Sequence, residues 1–178
     1  PELMTALGML AKEHLCHITS HISESTDEVE WSRNLDAAKR TGAFVFDEYR
    51  LLTHQCIMAH AVHLTDEDCK LLRDRGTAVA HCPLSNFFFA GGILPCRRLL
   101  EMNNLVGLGT DISCGYSPSI LHSAQMAVVS SRAILDTKEE STRLDYRHGL
   151  YLATLGGAKS LGLDKQLGTF RVGMEFDA

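Results

Sequence analysis

Three short apolar runs of this 178-residue chain end in residues able to hold a metal ion or pass a proton. His17-Ile18-Thr19-Ser20-His21 closes the first, with Glu24 three residues on. Cys56-Ile57-Met58-Ala59-His60 closes the second, and Val106-Gly107-Leu108-Gly109-Thr110-Asp111 the last. Between the last two lies Ala78-Val79-Ala80-His81-Cys82-Pro83-Leu84-Ser85-Asn86. Two imidazoles and a carboxylate suit Zn²⁺ or Fe²⁺ better than Ca²⁺ or Mg²⁺. Such an ion brings the pKa of its water to ~7, and a neighbouring carboxylate can shuttle the proton. Each residue alone has a plainer reading: a helix-capping glutamate, a neutral core histidine, a turn aspartate. Their recurrence at successive run ends favours a hydrolytic site.

The other candidates divide by position. His81 either hydrogen-bonds a substrate or developing oxyanion, or is a structural histidine behind a ligand; both readings stay open. Cys82 reads as packing. His17, deeper in its run, reads as a hydrogen-bonded core histidine, and His63 as a loop residue. His14, His54, His122 and His148 read as surface or helix residues.

Positioning these groups requires alternating strands and helices. Strands are expected at 15–22, 56–61, 77–82 and 105–110. Ser25-Thr26-Asp27-Glu28 has capping-box spacing and predicts a helix over about 26–40. Thr65-Asp66-Glu67-Asp68 starts another, with Leu64 and Cys69 as a hydrophobic staple and Gly76 as its stop. Further helices are expected over about 93–102, from Ser117-Pro118 to about Leu135, and over about 145–161. Met4, Leu7 and Leu10 mark a helix at the start. This rhythm predicts βαβ units and a parallel sheet, four units being half of a (β/α)₈ barrel. Functional side chains at the carboxyl ends of several strands favour the barrel over an open sheet. A dinucleotide-binding sheet needs a Gly-rich turn after its first strand, which is absent. The expected organisation is a partial TIM barrel over residues 1–165, with 166–178 starting a small β-sandwich. Both ends read as interrupted elements, as expected of a fragment.

Composition narrows the classes. Hydrophobic residues make up 45% and charged residues 22%, near the globular average. A net charge of -5 with scattered basic residues gives no footprint for nucleic acid or an anionic membrane. No run approaches the ~20 apolar residues of a membrane span, and the first residues do not read as a signal peptide. None of the six cysteines forms a C-x-x-C pair. They read as reduced thiols in a cytoplasmic protein, with Cys16 and Cys56 as small core residues.

Taken in order, His21-Ile22-Ser23-Glu24, Met58-Ala59-His60, Ala80-His81-Cys82-Pro83-Leu84-Ser85-Asn86, Gly107-Leu108-Gly109-Thr110-Asp111 with Gly115-Tyr116-Ser117, and Ala153-Thr154-Leu155-Gly156-Gly157 resemble the amidohydrolase superfamily. Among its branches the chain is most similar to the guanine deaminases. The resemblance covers nearly the whole chain and matches the second half of their barrel. It implies zinc-dependent hydrolytic deamination of guanine to xanthine and ammonia, in purine catabolism. By that resemblance His21, His60 and Asp111 are zinc ligands, and Asp111 also takes a proton from the activated water. Glu24 shuttles protons to the ring nitrogen and the leaving ammonia. Ile22, Ser23, Glu24, His81 and Asp111 border the purine. A homodimer is implied for the full-length protein.

The chain also departs from the branch. The H-x-H ligand pair of the first barrel strand is absent, as is the Arg-Phe pair that holds the purine. Phe87-Phe88-Phe89-Ala90-Gly91-Gly92 replaces the usual N-L-x-L-x-S-G, and Cys114 stands where glycine is common. Without the H-x-H pair, these 178 residues alone are expected to hold zinc weakly and to be nearly inactive. Two alternatives stand beside the main reading. One is another amidohydrolase, such as a nucleoside or triazine deaminase or a chlorohydrolase. The other is a catalytically silent half-barrel serving as a binding module.

Overall fold

The structure, a computed structural model, describes residues 2–134 and 143–176. The four expected strands form, each shorter than the apolar run that encodes it: β1 (Ile18–Ile22), β2 (Cys56–His60), β3 (Ala78–His81) and β4 (Leu105–Leu108). They make one parallel sheet in the order β1-β2-β3-β4. Each strand neighbours the next in sequence, with helices in every connection, so the sheet curves through half of a (β/α)₈ barrel.

The helices are α1 (Glu2–His14), α2 (Thr26–Leu35), α3 (Gly42–Glu48), α4 (Asp66–Arg75), α5 (Pro83–Phe88), α6 (Cys96–Glu101), α7 (Ile120–Ser131), α8 (Tyr146–Tyr151) and α9 (Gly157–Ser160). A π-helical turn, Leu152–Gly156, joins the last two. The start of α4 follows its sequence signal. Thr65 accepts from the Asp68 N–H while Asp68 accepts from the Thr65 N–H, a complete capping box. Gly76 ends the helix at φ +71, where a Cβ would lie 3.3 Å from that of His54. Asp68 is buried and also accepts from the Thr41 hydroxyl, which ties the start of α3 to α4.

Several expectations need correction. The helix expected over about 26–40 ends at Leu35, and a separate helix, α3, opens at Gly42. α5 was not expected at all. α7 starts at Ile120, because Ser119 rather than Ser117 accepts from the His122 N–H. No strand forms among described residues 166–176. They make turns instead, with the Glu175 N–H donating to the Gln166 carbonyl. Asp177 and Ala178 lie outside the described residues. His17 and Cys16 are exposed, not core residues.

The core collects side chains from strands and helices alike: Ile22, Met58, Val79 and Val106 with Leu72, Leu99, Leu144 and Leu152. All six cysteines are free thiols. No helix among the described residues is long and apolar enough to cross a membrane.

Candidate metal centre

The carboxyl ends of the strands are held together by backbone bonds that run past the sheet. The Ala61 N–H donates to the Ile22 carbonyl at 2.9 Å and the His63 N–H to the Ser23 carbonyl at 3.0 Å. The Gly109 N–H donates to the His81 carbonyl at 2.9 Å. These bonds tie the residues after β1 to those after β2, and the end of β3 to the loop after β4.

Within that frame the backbone turns sharply at the residues that matter. Ser23, His60 and Asp111 have φ of 50°, 71° and 49°. A non-glycine residue in this left-handed region costs about 1–3 kcal/mol and persists only where its surroundings enforce it. A pleat continued through His60 would pair it with Ile22, its register partner, whose side chain lies in the core. The positive φ takes His60 out of that pleat, and its ring stacks on His21 with centroids 5.2 Å apart. Asp111 is set by the loop behind it, where the Gly115 N–H donates to its carbonyl at 2.6 Å. A Cβ on Gly115 would sit 1.9 Å from the Thr110 carbonyl oxygen, so only glycine fits there.

The result is convergence. His21, His60 and Asp111 each offer a ligand atom, and the three atoms lie within 4.8 Å of one another. His21 is exposed, His60 buried and Asp111 half-buried, so the cluster opens to solvent on one side. Glu24 stands beside it, with Oε1 3.6 Å from His60 Nδ1. The turn that carries Glu24 is fixed locally. Glu28 accepts from the Glu24 N–H at 3.2 Å and Ser25 accepts from the Glu28 N–H at 3.2 Å. Half of the expected capping box thus serves the site residue rather than the cap. Two imidazoles and a carboxylate at this spacing are a donor set that would suit a divalent ion such as zinc.

The other candidates fall into place around this cluster. The ring of His81 is buried, with Nδ1 lacking a hydrogen-bond partner, and burial together with the nearby charge of His60 pushes its pKa down to about 3. It is therefore a neutral group at physiological pH. The Cys82 thiol is pushed up to about 12, first by burial and then by the Asp111 charge, so it stays protonated and acts as packing. Ser23 is buried. Ile22 was expected to border the substrate, but its side chain is 1% exposed and lies 3.7 Å from where a Gly42 Cβ would be. One residue was missed. Asn86, buried on α5, places Oδ1 2.8 Å from His60 Nδ1.

Residues 1–178 match the profile of the amidohydrolase family. The chain belongs to that family. An amidohydrolase relative, the guanine deaminase of Dictyostelium discoideum, is 44% identical over 177 residues, covering 99% of this chain and 39% of its own length. The crystal structure of guanine deaminase from C. acetobutylicum with bound guanine in the active site superposes with a TM-score of 0.90 at 30% identity, over 99% of this chain and 42% of that one. An adenosine deaminase from Xanthomonas campestris with bound zinc gives 0.86 at 27% identity, over 96% and 38%. The chain thus spans about two fifths of the length of these amidohydrolases.

Proposed function

We propose that this chain supplies the second half of the barrel of a zinc-dependent guanine deaminase, including three metal ligands and the proton-transfer carboxylate. The convergence of His21, His60 and Asp111 beside Glu24 carries the reading. The 44% identity to a guanine deaminase over nearly the whole chain supports guanine as substrate.

His21, His60 and Asp111 would hold a divalent ion, which when bound would supply a water acidic enough to lose its proton near neutral pH. Asp111 takes up that proton. Glu24 gives a proton to the purine ring nitrogen beside C2 and another to the departing amino group; the water's two protons, one held by Asp111 and one released from the added hydroxyl, replace them. The water oxygen bonds to C2 as the C2–N bond breaks, so guanine and water give xanthine and ammonia. His81, kept neutral by burial, offers a polar group without a competing charge. Ser23, Glu24 and Asp111 border the purine. The H-x-H pair and the Arg-Phe pair are absent from this sequence, so these residues alone deaminate guanine poorly. The full-length protein works as a homodimer in the cytoplasm.

Ammonia release measured for guanine, adenosine and an s-triazine on full-length protein tests the reading. Guanine turnover should dominate, and Glu24→Gln should lower it by roughly 10²–10⁴-fold, the range for losing a positioned acid or base. Preference for adenosine or the triazine would reassign the substrate. Activity untouched by Glu24→Gln would remove the proposed proton path.

A further inference from the structure

The buried face of His60 carries information beyond ligation. Its ring is 1% exposed, and Nδ1 meets two oxygens, Asn86 Oδ1 at 2.8 Å and Glu24 Oε1 at 3.6 Å. A neutral imidazole has one N–H and one lone pair, and whichever nitrogen keeps the proton cannot bind an ion. We infer that Asn86 is a positioning residue that fixes His60 in the Nδ1–H tautomer, leaving Nε2 as its only lone pair; this rests on the metal-site reading above.

The amide of Asn86 has two orientations, and they have opposite consequences. With Oδ1 toward the ring, Nδ1 donates and Nε2 is free. With Nδ2 toward the ring, Nδ1 must accept, the proton moves to Nε2, and the ring offers the ion nothing. The carboxylate of Glu24 decides between them. Its oxygen 3.6 Å from Nδ1 is a second acceptor facing that nitrogen, which favours an N–H there over a bare lone pair.

The position of Asn86 is itself over-determined. It sits on the six-residue helix α5, with its N–H donating to the Cys82 carbonyl at 2.9 Å and its own carbonyl accepting from the Gly92 N–H at 2.8 Å. The chain segment that carries His81 at one end therefore carries the orienting amide at the other. A partner of this kind fixes both the tautomer and the ring plane, and its loss typically costs 10–100-fold in metal affinity.

The test is the tautomer itself, read in metal-free full-length protein by ¹⁵N NMR of labelled histidines, with His60 assigned by its absence in His60→Gln. The expected result is a protonated Nδ1 and an unprotonated Nε2. Asn86→Leu should shift the proton toward Nε2 and weaken zinc binding by roughly 10–100-fold. Asn86→Asp, which keeps an acceptor, should preserve both. A wild-type His60 protonated on Nε2 would overturn the inference, and so would a folded Asn86→Leu protein with unchanged tautomer and zinc affinity. If the wild type bound no zinc, the metal reading would fail while the tautomer would still decide the role of Asn86.

Discussion

His21, Glu24, His60 and Asp111 are short of regular structure in one specific way: three of the four lie next to or on a left-handed backbone residue. That strain aims side chains from separate strands at one point. His81 shows the opposite solution, a histidine kept neutral by burial. Its pKa lies at about 3 in the folded chain, against about 6.5 when exposed. Between those values the unfolded chain takes up a proton that the folded chain refuses. The stabilisation is therefore complete above about pH 6.5 and declines as pH falls toward 3, with a slope of at most ~1.4 kcal/mol per pH unit. Urea unfolding at a series of pH values across that window should show this decline, and His81→Gln should flatten it. Equal slopes for the two proteins would contradict it. The cluster of His21, His60 and Asp111 was legible because the sequence puts imidazole and carboxylate groups at the ends of successive apolar runs. Asn86 was not, because nothing in the sequence says that its amide turns toward His60 rather than toward solvent.

At the scale of elements, local signals succeeded where a cap was complete and failed where tertiary contacts decided. The Thr65–Asp68 box and Gly76 mark both ends of α4 in the sequence and in the structure. Thr65→Ala should cost about 1 kcal/mol by loss of the cap, read as a shift in the urea midpoint. α3 lacks a side-chain cap at Thr41, whose hydroxyl is given instead to Asp68 on another helix, so no local pattern announces it. α5 begins with proline but has no capping hydrogen bond, and its later residues are exposed phenylalanines that read as no amphipathic face. The loop after β4 is the element on which the site depends most. Gly115→Ala forces a Cβ against the Thr110 carbonyl, and the account predicts that Asp111 moves and metal affinity is lost while the far-UV circular dichroism of the helices is retained. Unchanged affinity would show that the loop tolerates the displacement.

On the scale of the molecule, the alternation of strands and helices made the parallel half-barrel readable from the sequence, since each apolar run is bounded by a helix signal. The same half-barrel reading leaves two strand edges without a partner. Within the described sheet, β1 pairs only with β2 and β4 only with β3, and α1 exposes Leu3, Leu7, Met9 and Leu10. Unpaired strand edges beside apolar surface favour pairing with another chain or segment. These 178 residues alone should therefore associate, giving a scattering mass that rises with concentration. A monodisperse monomer with intact circular dichroism would contradict this.

The proposed chemistry needs one ion gripped jointly by three residues from separate βα units. Calorimetric titration of the metal-free full-length protein with Zn²⁺, beside His21→Ala, His60→Ala and Asp111→Ala, tests it directly. One high-affinity zinc per chain is expected, with each substitution weakening it by more than the roughly 10–100-fold that loss of a group orienting a ligand costs. Zinc binding that is absent from the parent, or equal in the parent and all three variants, would contradict it.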